Sequence, residues 1–174
     1  MKMDYVINPV KMGGLVKEVS GERIKVHLHG RLGVIKIPRS LIISEVPIEA
    51  GHEMEFYFSY IQVVEKPYDY DASDMTPDHE PEPCLLGGKI TEVNDTAIEV
   101  AVMNNLGSVA VPRRWVFTPI VLEKGQDVEF YFSCMNLLKK GSSALFQMRL
   151  IPLWAAAEML RNLQMRQDRR LPAN

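Results

Sequence analysis

Positively charged side chains that share one face of two neighbouring segments are the clearest chemistry in this sequence. On strands, Lys25, His27 and Lys36 would point to the same side, because side chains two positions apart face the same way. Such a face suits an anionic ligand, since lysine carries a compact charge and arginine grips phosphate or carboxylate with two nitrogens. The predicted ligand-binding residues are therefore Lys25, His27, Lys36, Arg39, Arg113 and Arg114. An ordinary solvated sheet face is the alternative interpretation.

Metal binding and catalysis find less support in the sequence. His27 and His29 would point the same way on a strand and could together chelate a metal ion. The sequence offers no third ligand for them, so we predict no metal site and no cofactor. No catalytic motif surrounds Cys134 or any serine, and the carboxylates are concentrated in a proline-rich stretch where nothing would hold their geometry. We predict that the protein is not an enzyme.

The candidate residues lie in a segment that the chain carries twice. Residues 13–64 align with residues 87–138 at a constant offset of 74, without a gap, and 17 of the 52 aligned positions are identical. A repeat of this length indicates one folding unit copied in tandem. A unit this small is near the lower limit for a self-sufficient core, so each copy should depend on a neighbour.

The elements that would position these residues are mostly strands. Alternating apolar and polar residues predict strands over Arg23–Leu28 and Ala97–Val102. After a glycine-bounded third strand and a single turn, a long strand is predicted over Glu53–Val64 in the first copy and Asp127–Leu138 in the second. We expect the phenylalanines of these long strands to form the core and the tyrosines to make the contact between the copies.

Glycine-punctuated strands, four or five in each copy, indicate small barrels. We therefore predict a mainly β protein with two tandem small five-stranded β-barrels, OB-like or alternatively SH3-like, plus a C-terminal α-helix. The fifth strand is expected from Tyr5–Val10 in the first copy and from Ala144–Ile151 in the second. The predicted domains are a first barrel with the N-terminal strand (1–65), an acidic proline-rich linker (66–86), a second barrel (87–151), and an amphipathic helix with a basic tail (152–174).

Charge and polarity differ between the parts of the chain. The net charge is −2, but residues 65–86 hold seven acids and one base, whereas the rest carries 19 bases and 15 acids. The outward positions that are basic in the first copy are small or apolar at several places in the second. We predict that these positions form a packing face for the C-terminal helix, in the same chain or in a homodimer partner. The residues of this predicted contact are Ala101, Met103, Ala110, Trp154 and Leu160.

Four short motifs resemble those of a known family. They are Gly-x-Val-x-x-Val at 14–19, Val-x-Leu at 26–28, Gly-Val-Ile-Lys-Ile-Pro at 33–38, and Gly-x-x-Met-Glu-Phe-Tyr-Phe-Ser at 51–59. This pattern resembles the S-one-type RNA-binding repeat, the OB-fold unit of the largest small-subunit ribosomal protein. The resemblance implies an OB-like fold and RNA binding. The family's stacking aromatic after the glycine is replaced by Val34 in the first copy and Ser108 in the second, and stacking on aromatic faces is what single-strand binders rely on.

These observations predict a non-enzymatic binding or scaffolding protein built from duplicated small β-barrels. Its partner would be another protein, not identified by the sequence. The alternative is nucleic-acid (RNA) binding through the basic face of the first copy and the arginine-rich tail. Met1–Val10 has no uninterrupted apolar stretch of the kind that signal peptides contain, and no apolar run in the chain is long enough to span a bilayer. We therefore expect a cytoplasmic protein without membrane contact.

Overall fold

The computed structural model describes residues 7–78 and 80–138, and these residues are mainly β. In this part of the chain, four 3-10 turns separate strands, at His29–Arg31, Arg39–Leu41, Met103–Asn105 and Arg113–Trp115. The predicted strands Arg23–Leu28 and Ala97–Val102 are confirmed with those bounds. The strands are, in chain order, β1 (Val10–Ser20), β2 (Arg23–Leu28), β3 (Val34–Pro38), β4 (Ile42–Ile43), β5 (Glu53–Phe58), β6 (Ile61–Val64), β7 (Cys84–Val93), β8 (Ala97–Val102), β9 (Ser108–Pro112), β10 (Val116–Phe117), β11 (Asp127–Phe132) and β12 (Met135–Leu137).

All twelve strands of the described residues belong to one sheet. Its order is β10-β6-β11-β7-β8-β9-β3-β2-β1-β5-β12-β4, and one further bridge joins β11 to β5. Within the described residues, strand pairing does not close either copy into a barrel of its own strands, so the expectation of two separate five-stranded barrels is corrected. The reason is that β4 and β10, which would complete such barrels, pair only with strands of the other copy.

The two copies exchange their sixth strands. β6 of the first copy pairs with β10 and β11 of the second, and β12 of the second pairs with β4 and β5 of the first. The long strands predicted over 53–64 and 127–138 therefore break, at Ser59 and Ser133. Ser59 Oγ accepts from the Tyr131 amide and Ser133 Oγ accepts from the Tyr57 amide, both at 2.8 Å. These two hydroxyls fix the crossover because each one satisfies a backbone donor in the other copy.

The exchange replaces the fifth strand that we expected from the N-terminus. Residues 7–9 are not a strand, and Val10 begins β1, which runs on through the first glycine pair. β5 pairs with β1 on one side and with β12 of the second copy on the other, with Asn136 opposite Glu55. Residues 5 and 6 lie outside the described residues.

Four phenylalanines form the centre of the core, as predicted. Phe56, Phe58, Phe130 and Phe132 are all at most 1% exposed. Their rings meet edge to face across the two copies, with centroids 5.9 Å apart for Phe56 and Phe132 and 5.7 Å apart for Phe58 and Phe130. Edge-to-face contacts of this kind add to the stability that burial provides. The copies therefore share one core.

A second contact between the copies is made by β3 and β9, which run antiparallel with Ile35 opposite Val109. Gly33 and Gly107 immediately precede these strands, with φ angles of +115°. A Cβ on Gly33 would lie 1.8 Å from the Ala110 carbonyl oxygen, and one on Gly107 would lie 1.9 Å from that of Lys36. Only glycine permits both this backbone angle and this close approach.

The acidic stretch between the copies packs against the second copy. Met75 is 7% exposed, and the ring of Tyr70 covers Gly87, where a Cβ would come within 2.5 Å of it. Sequence composition predicted a solvated linker over 66–86, but part of this stretch is packed and β7 already begins at Cys84. The ring of Tyr70 and the side chain of Met75 supply enough apolar area to pack this stretch. The high average content of proline and acidic residues hides these two residues from a prediction based on composition.

Several predictions concern residues outside the described part of the chain. They are the strand over Ala144–Ile151, the helix and tail over 152–174, and the contact residues Trp154 and Leu160. For these the structure gives no outcome.

Candidate ligand-binding face

The sheet brings the three predicted ligand-binding residues of β2 and β3 together on one face. Lys25 lies directly opposite Lys36, and His27 lies opposite Val34, in neighbouring antiparallel strands. Residues directly opposite in such a pair have Cβ atoms about 4.5–5.5 Å apart and point to the same side. Ile24, Val26, Ile35 and Ile37, which alternate with them, are buried in the core. The face therefore points outward, as the alternation predicted.

This basic face, which we define as Lys17, Arg23, Lys25, His27 and Lys36, carries an excess of positive charge, although Glu18 of β1 lies opposite Lys25. In the part of the chain that the structure describes, Lys25 and Lys36 form neither an ion pair nor a side-chain hydrogen bond. Like charges directly opposite in a sheet are destabilising by a few tenths of a kcal/mol or more, up to about 1 kcal/mol. An anion placed between them would remove this repulsion.

The pKa of His27 reflects the positive charges around it. Burial lowers its pKa from the usual 6.5, and the charges of Lys17 and Lys25 lower it further. His27 is therefore mainly neutral at neutral pH, and it can donate or accept a hydrogen bond on the face.

The predicted arginines are exposed but do not join this face. Arg39 and Arg113 begin 3-10 turns at the ends of β3 and β9, which point in opposite directions. By the rise of a strand they lie roughly 25 Å apart. Arg114 donates from Nη2 to the Arg31 carbonyl oxygen at 3.2 Å, so it ties the second copy to the first. Of the six predicted residues, Lys25, His27 and Lys36 thus form one cluster. The three arginines lie apart from it, in the turns that follow β3 and β9.

Arg23 was missed as a candidate although its position in the sequence shares the parity of Lys25 and His27. It stands at the start of β2, and its Nη2 donates to Asn105 Oδ1 at 3.2 Å. Lys17, on the neighbouring strand β1, was also not predicted as a ligand-binding residue. A register shift in β1 between Val16 and Glu18 interrupts the alternation there. Both residues extend the positive charge beyond the three predicted residues.

The face continues across the junction into the second copy and changes character there. Across the sheet from Lys36 lie Ser108 on β9 and then Ala101 on β8. Across from Val34 lie Ala110 on β9 and then Glu99 on β8. Of the predicted packing residues, Ala101 is exposed and Ala110 is half-buried, and they do lie on one face. Met103 does not share it: this residue lies in a 3-10 turn, and its sulfur accepts from the Gly87 amide at 3.4 Å. The strand ends at Val102, so the alternation that placed Met103 with Ala101 stops one residue earlier.

A separate cleft of about 310 Å³ lies beside the acidic stretch, lined by Tyr68, Asp69, Tyr70, Asp71, Asp74, Pro83, Cys84 and Leu85. The Tyr70 hydroxyl donates to Glu129 Oε2 at 2.8 Å. Burial and this hydrogen bond raise the pKa of Tyr70 to about 12. Glu129 is only 7% exposed and also accepts from Gln62 Nε2 at 3.3 Å. The network anchors the acidic stretch to β11 and β6.

Both cysteines are protonated thiols, and the described residues hold no cluster of metal-ligating side chains. Burial raises the pKa of the Cys84 thiol, and it raises that of Cys134 to about 11, so neither is a thiolate at neutral pH. Residues 7–78 and 80–138 contain no group of three or more His, Cys, Asp or Glu side chains placed to hold a metal ion. The same residues include no helix with the length and apolar character needed to cross a membrane.

Comparison with known proteins adds little to this description. No protein-family model matches the sequence, and no curated protein does. Among solved structures the chain is similar to the cytoplasmic molybdate-binding protein ModG with molybdate bound. The two share 16% sequence identity over 72% of this chain and 94% of that chain, with a TM-score of 0.24. At that level the similarity carries no conclusion about a ligand.

Proposed function

We propose that this is a non-enzymatic binding protein whose basic face recognises an acidic region of a partner protein. The observation that carries the proposal is the pair of lysines, Lys25 and Lys36, directly opposite each other and without an ion pair in the described residues. Glu18 of β1 lies opposite Lys25 on its other side, so Lys36 carries the less compensated charge. At the equivalent positions of the second copy the residues are Glu99 and Ala110. The shared fold therefore does not require the lysines, which favours a role for them in binding over a role in folding.

A protein surface suits this face better than a nucleic acid does. Next to the lysines lie Val34, Ser108 and Ala110, which offer a small apolar and hydroxyl strip but no aromatic ring. Single-stranded nucleic acids are bound through stacking on aromatic side chains, which contributes about 1–3 kcal/mol per base. A partner with carboxylates beside small apolar side chains would match both the charge and the strip.

Nucleic-acid binding is the second candidate, favoured by the exposed arginines at both rims of the β3–β9 junction. Arg31 and Arg114 lie at one rim, and Arg23 and Arg39 lie at the other. Arginines spaced in this way would contact backbone phosphates, with an affinity that decreases steeply as salt increases. The likeness to the S-one-type repeat would in that case extend from fold to function.

A direct binding assay separates the two candidates. Fluorescence anisotropy would compare a labelled oligoglutamate peptide with a labelled oligouridine RNA of equal length. We expect Lys36→Gln to weaken peptide binding about tenfold, or about 1.4 kcal/mol. Lys124→Gln, which removes an equal charge from an exposed loop of the second copy, should leave binding unchanged. Tighter binding of the RNA, or equal effects of the two substitutions, would contradict the proposal.

The finer points of fold and location follow from the same picture. We infer that each copy corresponds to a small OB-like unit made of its own first five strands, to which the other copy adds the sixth. Both cysteines of the chain, Cys84 and Cys134, are free thiols, which supports a reducing cytoplasmic location. A homodimer is compatible with this proposal.

A further inference from the structure

The chain itself carries a surface of the opposite charge. Residues 65–82, which we call the acidic segment, hold seven carboxylates and one lysine. All seven carboxylates are exposed, and no ion pair involves them within the described residues. Asp71 Oδ1 accepts from the Ser73 amide at 2.9 Å, which orders the backbone between the acids. The protein therefore presents two surfaces of opposite charge, both on ordered backbone.

The acidic segment is held away from the basic face of its own chain. Tyr70 anchors it to Glu129 on β11, and Met75 is buried. In the sheet order, β8 and β9 lie between β7, against which the segment packs, and β3, which carries Lys36. Tyr70 and Met75 would have to leave their sites before the segment could reach that face. Neutralisation within one molecule is thus opposed by the packing.

We propose that the acidic segment of one molecule docks on the basic face of a second copy of this chain. This inference rests on the proposed function, since it assigns the acidic partner of the same face. The two surfaces differ, so the contact is heterologous and the resulting dimer keeps one free surface of each sign. Association would therefore continue beyond a dimer as concentration increases.

Two properties of the molecule favour such a contact. Both surfaces are already ordered, so docking loses less conformational entropy than the binding of a flexible tail. The net charge of −2 produces little overall repulsion between copies. Because the attraction is between exposed charges, it should be strong at about 0.01 M salt, where the screening length is about 30 Å, and weak at about 1 M, where it is about 3 Å.

Complementary charge-reversal variants test the contact. The face variant carries Lys25→Glu and Lys36→Glu, and the segment variant carries Asp69→Lys and Asp74→Lys. None of these four side chains makes a hydrogen bond or ion pair in the part of the chain that the structure describes, so both variants should fold, which circular dichroism checks. Sedimentation velocity at low salt should show association of the unmodified protein and monomers for each variant alone.

A mixture of the two variants gives the decisive measurement. The face variant keeps its acidic segment and the segment variant keeps its basic face, so an equimolar mixture should form a one-to-one complex that dissociates at high salt. A mixture that stays monomeric would overturn the inference. If a reversal prevents folding, the neutral variants Lys25→Gln with Lys36→Gln and Asp69→Asn with Asp74→Asn replace it, each expected to abolish self-association.

The outcome also separates this inference from the proposed function. If the unmodified protein is monomeric at low salt but binds the oligoglutamate peptide through Lys36, the second copy is not the partner and the proposed function stands. If it neither self-associates nor binds the peptide, both proposals are wrong.

Discussion

The joint between β3 and β9 gives the sharpest prediction about the architecture. Gly33 has a φ of +115°, and a Cβ added there would lie 1.8 Å from the Ala110 carbonyl oxygen, against at least 3.4 Å in an ordinary contact. Gly33→Ala therefore cannot be accommodated by a side-chain movement, because the obstacle is backbone of the other copy. Either β9 moves away or the chain leaves this backbone conformation.

The expected magnitude can be worked out from a matched control. Gly51 has a φ of +95°, and a Cβ added there would meet nothing within 4 Å, so Gly51→Ala adds only conformational strain, about 1–3 kcal/mol. Gly33→Ala adds similar strain and also separates strands in which three residue pairs are in register. At about 1 kcal/mol for each hydrogen bond, it should cost roughly 3 kcal/mol more than Gly51→Ala.

Urea unfolding followed by circular dichroism measures both changes in the free energy of unfolding. The difference between the two variants is the quantity of interest, because it cancels the shared strain. We expect Gly33→Ala to lower the unfolding midpoint well below that of Gly51→Ala, or to prevent folding while Gly51→Ala still folds. Equal free energies of unfolding for the two variants would show that the copies do not meet at β3 and β9.

Three further predictions concern single side chains. Tyr70→Phe removes the 2.8 Å hydrogen bond to Glu129 and should destabilise the protein by about 1–3 kcal/mol, with faster proteolysis in the acidic segment; unchanged digestion would show that this bond does not hold the segment. Burial and nearby lysines lower the pKa of His27 below 6.5, so just below pH 6.5 the unfolded chain binds more protons than the folded protein does. The stability that neutral His27 contributes is therefore present above pH 6.5 and is lost as the pH falls through the lowered pKa. His27→Gln should flatten that dependence in unfolding measured between about pH 5 and 8, and an unaltered pH profile would exclude His27 as its source. Ser59→Ala leaves the Tyr131 amide without its acceptor and should cost about 1–3 kcal/mol, whereas a neutral effect in thermal unfolding would mean that water replaces the hydroxyl.

The functional residues are predictable to the extent that they depend on strand alternation. Parity alone puts Lys25, His27 and Lys36 on one face, and the structure places them there because β2 and β3 are adjacent in sequence and pair with each other. Arg39 and Arg113 join the predicted set only because both copies contain a Pro-Arg pair. The antiparallel junction of β3 and β9 sends these two arginines to opposite rims, a consequence of pairing between the copies that neither copy encodes alone.

The packing of the acidic stretch shows a different limit. Its proline and carboxylate content is typical of a solvated segment. The Tyr70 hydroxyl nevertheless donates to the Glu129 carboxylate, and the Tyr70 ring packs against Gly87. Those partners are 59 and 17 positions away along the chain, so no local pattern could have indicated them.

The sequence by itself determined the duplication, the strand content, the phenylalanine core and the alternate strand positions that carry basic residues in the first copy. Each of these depends on residue type and on the two-residue period of a strand. Only the tertiary structure decided that the copies share one sheet and exchange β6 and β12. Ser59 and Ser133 can continue a strand or end one, and what selects the crossover is the amide of the other copy that each hydroxyl satisfies. A choice made by a partner more than 70 positions away leaves no signature in local periodicity, because the free energy that decides it is gained only when the two copies pack.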